Sequence, residues 1–453
     1  MKIFLINPSG SGQFYLNEEP LPPIGLAFIG AVLEKEGHYV KIYDDWLYNK
    51  GENSVIEEAK RFNPDVIGIS VSSATFSISR NLCKSLKLEF GKPIILGGPY
   101  VTIMLEKSLL NTEADIGVIG EGEVTIVELI SALEHNKPLK DIKGILYKEN
   151  GIIKQNKPRE FIKDLDSLPF PAWHLLPMKD YHCDPVYPMN IEASPVYDLG
   201  TSRGCPSRCR FCSAYAIWGC TFRSFSVNRM IEDVKNLVDN YGAKGIFFKD
   251  DNFTANHERV NEFCRKIKEE KLDFKWICAS RVNNMNTPFL KTMKDNGNEW
   301  QWFGPESGSQ RVLDNLNKGI TVEEIVNAAK YCKEAKVGAS GSYMIGIPNV
   351  ETFDDIEKTI KLQVKLYSKY NMYFWTNIFF GVPTSPIYEE IIKNKWYTKM
   401  EEGGICEVLT PDFNFEKLNK IRKKLLLKYF IRRPIGFMKY LNSRYLKERD
   451  ENN

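Results

Sequence analysis

The stretch SRGCPSRCRFCSA, Ser202–Ala214, sets cysteines at Cys205, Cys209 and Cys212, a C-x3-C-x2-C spacing. Three thiolates within eight residues suit three irons of a four-iron cubane, because iron–sulfur clusters take cysteine ligands from short loops. No fourth cysteine follows at a matching distance: Cys220 stands alone and the next is Cys264. One iron would stay open, as a catalytic cluster needs and an electron carrier does not. Structural zinc is the competing reading, but it ordinarily takes four ligands in two short pairs. A further alternative makes these thiols small core hydrophobes.

Around that loop the chain repeats a helix pattern followed by an apolar strand pattern. VYDLGTSRG (Val196–Gly204) reads as the strand that delivers the cysteines. SVNRMIEDVKNLVDNYG leads to KGIFFKDDNF, HERVNEFCRKIKEE to FKWICASR, NTPFLKTMKDNG to EWQWFGPES, and TVEEIVNAAKYCKEAK to GASGSYMIGIP. TFDDIEKTIKLQVKLYS and MYFWTNIFFG complete a series of about six strands. An eight-unit barrel needs ~250 residues, more than lie between Val196 and Gly381. Barrel sites form at the C-terminal ends of strands. Those ends carry Asp250 and Asp251, Ser280 and Arg281, Glu306 and Ser307, and Gly346 with Pro348. Helix capping by Asp251 and charge neutralisation by Arg281 are the ordinary alternatives. Tyr215, Trp300, Trp302, Tyr343 and Trp375 are candidates for a substrate surface, although aromatics at strand ends more often fill a core.

Upstream, residues 1–140 alternate strand and helix patterns: IFLIN, GLAFIGAVLEKEG, YVKIYD, SVIEEAKRF, VIGISV, a helix from 77 to 88, PIILGG, IGVIGEGE and VTIVELISALEH. Strands rich in Ile and Val with intervening helices imply a doubly wound parallel sheet of Rossmann-like type. Ligands of such sheets bind at the carboxyl ends of the strands. The loops there are small and polar: Asn7 to Gly10 with Ser9, Ser70 with Ser72 and Ser73, Gly97 and Gly98, and Gly120, Glu121, Gly122 and Glu123. Small residues admit a bulky flat ligand to the backbone, and turn punctuation accounts for them equally well. Residues 141–194 read as a connector, with a hairpin in GILYKENGIIKQN turning near Asn150 and a Pro-rich run holding His174 and His182.

The cysteine run closely resembles the radical S-adenosylmethionine (SAM) signature, with Phe211 as the aromatic beside the last cysteine. The order PPIGLAFIGAVLEKEGHYVKIYD, IGIS, LGGP, GEGE resembles the cobalamin (B12)-binding domain that precedes radical SAM domains, and LPFPAWHLLPMKDY resembles the linker of that two-domain family. The resemblance implies a B12-binding domain at 1–140, a connector at 141–194, a partial (β/α)6 barrel at 195–385 and a basic helical region at 386–453. It also implies a [4Fe–4S] cluster on the three cysteines, SAM at the open iron, and Phe211 packing against adenine. Asp250, Asp251, Ser280, Arg281, Glu306, Ser307 and Gly346 fall at family positions around SAM, MIGIP resembling the strand that meets adenine. Asn7, Ser9, Ser70, Ser72, Gly97, Gly98, Gly120, Glu121 and Gly122 fall at the cobalamin face. One departure is the missing D-x-H-x-x-G after the first strand; His38 precedes a strand instead, so no histidine of this chain is expected on cobalt.

By the same resemblance, the expected reaction is cleavage of SAM to a 5′-deoxyadenosyl radical and C-methylation of an unactivated carbon of a small metabolite. An external one-electron reductant of flavodoxin or ferredoxin type is expected as partner. The rival on the same scaffold is oxidative ring closure like that of anaerobic chlorophyll cyclase, which KYFIRRP mildly resembles; a non-enzymatic cobalamin or redox sensor is the rival of another class. The composition, 43% hydrophobic and 26% charged over 453 residues, is that of a globular protein of two or three domains. Ten cysteines and no secretory leader point to a reducing cytoplasm. The longest apolar run, Ile24–Leu33, is half of the ~20 residues a bilayer span needs. The net charge of +3 is uneven: residues 417–453 carry +9, leaving the rest near −6. An acidic body argues against nucleic acid. For the basic tail, a helix under the barrel with a solvated face is favoured over contact with a membrane surface or with an anionic substrate.

Overall fold

The computed structural model describes residues 1–10, 20–181, 193–410 and 412–431. His182 and the tail beyond Ile431 lie outside the described residues. The chain divides into two compact units. One takes Met1–Cys183, Ser213–Phe225 and Glu401–Ile405; the other takes Asp184–Cys212, Ser226–Met400 and Cys406–Asn453.

The first unit is built on seven strands: β1 (Lys2–Asn7), β2 (Tyr39–Asp44), β3 (Val66–Ser70), β4 (Ile94–Gly97), β5 (Ile116–Val118), β6 (Ile145–Glu149) and β7 (Ile152–Gln155). Their order is β2-β1-β3-β4-β5-β6-β7, parallel through β5 and antiparallel beyond it. Phe4 and Ile6 join a core with Ile67, Ile69 and Leu96, while Ile3 and Leu5 are buried on the opposite face. Burial of both faces is why these strands read as continuous apolar runs. The hairpin turns where expected, with Asn150 and Gly151 both at positive φ, as a two-residue type I′ turn requires. Its place corrects the reading of a connector from residue 141. β6 pairs with β5, so the hairpin is the edge of the first sheet, and the bonds left open on β5 are the reason.

Six strands form the sheet of the second unit: β8 (Val196–Leu199), β9 (Gly245–Phe248), β10 (Lys275–Ser280), β11 (Asn298–Glu306), β12 (Gly338–Ile345) and β13 (Met372–Ile378). They pair in chain order, all parallel, as the helix–strand repeats lead one to expect. Phe248 and Trp276 meet Phe253 and Phe263 on the helix-covered face. The other face gathers Val196, Phe247, Ile277, Trp300, Trp302 and Tyr373. Helix Phe415–Ile431 lays Leu418 and Leu425 on Ile356 and Ile360 of helix Phe353–Tyr370, and leaves Lys417, Lys420, Lys423, Lys424 and Lys428 exposed. Among the described residues no helix is long and apolar enough to cross a membrane.

Close approach fixes one glycine of this sheet. A Cβ at Gly338 would stand 2.0 Å from the Trp300 ring, whose Nε1 donates to Ser340 Oγ at 3.0 Å. Gly338→Ala is expected to lower unfolding stability by about 1–3 kcal/mol through overpacking. Urea titration of the variant against the parent measures it.

Candidate active site

The cysteine loop leaves β8 through Gly204, at φ +86°, and turns where the Cys212 N–H donates to the Cys209 carbonyl at 3.1 Å. Cys209 is buried; Cys205 and Cys212 are half-buried. Protein groups hold this loop from outside. The Arg210 N–H donates to the Leu316 carbonyl at 2.9 Å, Asn317 Nδ2 to the Arg208 carbonyl at 2.9 Å, and the Ile387 N–H to the Arg210 carbonyl at 3.2 Å. The Arg210 guanidinium reaches Asn315 and Glu390. By contrast, burial pushes the thiols of Cys83, Cys264 and Cys278 up to about 12 and that of Cys406 up to about 11, so these are sealed core groups. Among the described residues no three His, Cys, Asp or Glu side chains gather around one ion. A cubane asks for no such centre, since each thiolate takes its own iron. Three free thiols on one short loop, one buried and two half-buried, are the donor set that three corners of a cluster take.

Beside the loop stands a buried ion pair that the motifs did not predict. Lys318 Nζ lies 2.9 Å from Glu306 Oε1 and 5.5 Å from the centroid of the Phe211 ring. Glu306 ends β11 at φ +64°, a conformation that costs a non-glycine residue about 1–3 kcal/mol. A Cβ at Gly304 would approach Glu306 Oε1 to 2.4 Å, so a larger residue there would push the carboxylate aside. The Arg281 guanidinium donates to the Lys318 carbonyl. Phe211, Arg281 and Glu306 thus come together around Lys318. No spacing rule marks a lysine in NLNKGI, which is why sequence reasoning missed it.

The remaining strand-end residues divide by what they bond. Asp250 is buried and accepts from Thr201 N and Oγ1 at 2.6 and 2.7 Å and from Ser202 N and Oγ at 3.2 and 2.7 Å. It fastens the start of the cysteine segment to the end of β9. Ser280 donates to Gln301 Oε1 at 2.8 Å and Ser307 meets Thr359 Oγ1 at 3.1 Å, both within the core. Tyr343 is buried as well. Asp251 stays exposed, although the protein around it and then the Asp250 charge raise its carboxyl. Gly346 takes φ +84°, and its N–H with that of Ile347 donates to Glu351 Oε2. Burial pushes Glu351 up to about 8 despite those two donors. Glu351 too escaped the sequence reading, being one acid in an otherwise ordinary loop.

In the first unit the strand order reverses at β1, which lies between β2 and β3, and ligands of open sheets bind at such a point. Asn7 Nδ2 donates to Asp44 Oδ1 at 2.8 Å, while Tyr181 Oη donates to Asp44 Oδ2 at 2.6 Å. Ser9 is buried, and Ser72 turns its N–H to Thr75 Oγ1 at 2.9 Å. Gly98 sits at φ +99°, where a Cβ would meet the Val71 carbonyl at 2.9 Å. At Gly97 and Gly120 a Cβ would meet nothing within 4 Å among the described residues. Ser70 with these glycines forms an open cradle that fits a broad ligand lying on the backbone. Glu121 is engaged otherwise: it binds the Arg223 guanidinium at 2.8 Å and the Ile162 N–H at 2.6 Å, and Gly122 packs on Ile29.

Two outcomes test this geometry. Lys318→Met leaves a buried carboxylate unpaired and should cost about 3–5 kcal/mol of unfolding stability. Adding Glu306→Gln should restore part of that, as a double-mutant cycle in urea would read. Glu351 holds its proton up to about pH 8 when folded, against an ordinary value of 4.5. The folded state therefore binds more protons between those values, and stability falls as pH rises through that window. Glu351→Gln should remove that part of the slope, gaining most on the parent above about pH 8, as melting temperatures across the range would register.

Two family models match the chain: B12 binding domain over residues 18–130 and Radical SAM superfamily over residues 199–363. An uncharacterised methyltransferase of Pyrococcus horikoshii is 34% identical over 91% of this chain and 88% of its own. The cytidylyl-2-hydroxyethylphosphonate methyltransferase of Streptomyces wedmorensis is 29% identical over 77% of this chain and 73% of its own. Among solved structures, the cobalamin-dependent S-adenosylmethionine radical enzyme OxsB superposes with a TM-score of 0.76 at 17% identity, and this chain covers 64% of it with 91% of its own length. The thiol loop, the glycine cradle and these matches agree: the chain belongs to the B12-binding radical SAM enzymes, whose cofactors are a [4Fe–4S] cluster, S-adenosylmethionine and cobalamin.

Proposed function

We propose that the protein is a methyltransferase that acts on an unactivated carbon of a small molecule. The observation that supports this most is one chain holding both the cradle of the first sheet and the three-thiol loop, with its 34%-identical relative named a methyltransferase along nearly the whole length. When bound, the three cofactors supply one-electron cleavage of a carbon–sulfur bond and carriage of a methyl group.

The chain's own residues supply position and polarity. Cys205, Cys209 and Cys212 would hold the cluster through three of its irons. Phe211 offers a ring to adenine, with the Lys318 ammonium and the Glu306 carboxylate fixing that ring's surroundings. Asp251 and Arg281, at the ends of β9 and β10, present charge to the ribose and carboxylate of the same ligand. Asp250, Ser280, Ser307 and Glu351 act through others, by holding the loops in register. In the first unit Asn7, Ser9, Ser70, Ser72, Gly97, Gly98 and Gly120 form the cobalamin face, with Glu121 and Gly122 steadying it from behind. A one-electron donor of flavodoxin or ferredoxin type feeds the cluster.

The test is anaerobic. Protein reconstituted with cobalamin is given methyl-labelled S-adenosylmethionine, dithionite and a metabolite extract. Label entering a product only when cobalamin is present is the expected result. An unlabelled product formed with 5′-deoxyadenosine would overturn methyl transfer in favour of ring closure. Cys205→Ala should fall well short of the parent's roughly four irons per chain.

A further inference from the structure

The face of the second sheet turned from its helices carries a row of rings. Phe247 of β9, Trp302 of β11 and Trp375 of β13 come from every second strand. Strands two apart lie roughly 9–10 Å from each other. Yet the Phe247 and Trp302 centroids are 5.9 Å apart, at 27° between planes, and those of Trp302 and Trp375 are 5.4 Å apart, at 33°. The face is concave, and small residues between the rings, Ala279 and Ser342, let them close up. Trp302 Nε1 donates to Ser342 Oγ at 2.8 Å, so the indole needs no further polar partner. All three rings remain half-buried, whereas their strand neighbours pointing the other way, Phe248, Phe303 and Thr376, are buried. A closed barrel fills its interior with such layers; this open one leaves them accessible.

A second feature lies on the same face. Asp198 of β8 is two residues from Val196, which packs in the cluster with Phe247 and Trp302, so strand alternation turns Asp198 the same way. Its register partner on β9 is Phe247. Asp198 is 7% exposed, and its Oδ1 is buried with no hydrogen-bond partner among the described residues. An acceptor left so carries a desolvation cost that a donor group brought by a ligand would recover. Burial pushes the carboxyl up to about 6, with the Lys249 charge and then a bond from the residue's own N–H partly opposing. Lys249 itself lies over Phe247, its Nζ 4.3 Å from the ring centroid.

We infer that this face is the substrate subsite, and that it takes a ligand with a flat apolar body on Phe247, Trp302 and Trp375 and a hydroxyl or N–H group donating to Asp198. The inference rests on the reading of the second unit as the seat of the radical reaction. It goes beyond that reading by naming which residues select the substrate and for what chemistry. The apolar body packs against the exposed parts of the three rings, and the donor fixes which edge faces the strand ends.

Three fluorescent probes of one shape test it with the cofactor-loaded protein: 2-naphthylmethanol, its methyl ether and 2-naphthoate. The alcohol should bind about tenfold more tightly than the ether, one satisfied buried acceptor being worth that factor. The naphthoate should bind least. Trp302→Ala, or Trp302→Phe should the first variant not fold, should weaken the alcohol and the ether together. Asp198→Leu should erase the alcohol's advantage and leave the ether unchanged; Asp198→Asn, of the parent's shape, should remove most of it. Equal binding of alcohol and ether by the parent, tighter binding of naphthoate, or no effect of the Trp302 variants would overturn the subsite. Formation of 5′-deoxyadenosine by the reduced parent without any probe reports separately on the proposed function. Its absence beside an intact probe ranking would fault that proposal alone.

Discussion

A backbone amide at Arg210 donating to the Leu316 carbonyl, with Asn317 bonding the Arg208 carbonyl, ties the three-thiol loop to a segment a hundred residues further on. Loops that hold metal clusters carry few internal contacts, and their ligands must still stand in a fixed array. Here the array is set by peptide groups whose geometry tolerates little variation. The same segment supplies Lys318, whose ammonium faces both Glu306 and the ring beside the last cysteine. One stretch thus positions the thiols and fixes the charge next to them. Asp250 does the complementary work upstream, where four bonds to one carboxylate hold Thr201 and Ser202 ahead of Cys205.

Strand alternation divides the labour within the second sheet. Phe248, Trp276 and Phe303 face the helices and stabilise the fold through buried apolar area, while Phe247, Trp302 and Trp375 face the concave side. Large aromatic side chains serve both purposes, since one face of a ring can pack while the other stays available. The residues that carry positive φ on this sheet's rim, Glu306 and Gly346, sit where strands end and chemistry begins. Local partners hold these turns: Lys318 the strained first, Glu351 the second.

The first sheet works by subtraction. Its carboxyl-end loops use Gly97, Gly98 and Gly120 to keep the backbone bare, and Asp44 braces the same edge through Asn7 and Tyr181. Glu121 looks like a ligand-facing acid in GEGE, yet it is spent on Arg223 and Ile162 within the same unit. Hydrogen bonds of that kind are invisible in a motif, because the partner lies a hundred residues away.

Much of this protein was legible before any coordinates. Short-range patterns decide the alternation of helices and strands, the Asn150–Gly151 turn and the three closely spaced thiols, since each depends on residues only a few positions apart. Apolar runs in β1, β3 and β4 announced a sheet covered on both sides for the same reason. Tertiary structure alone decided that the hairpin after residue 144 completes the first sheet, that Lys318 and Glu351 stand near the strand ends, and that Asp198, in register with Phe247, keeps a buried oxygen without a partner among the described residues. These depend on which strand edges remain open and which side chains meet across long loops. Pairing energy between distant segments is settled only when the whole chain has packed.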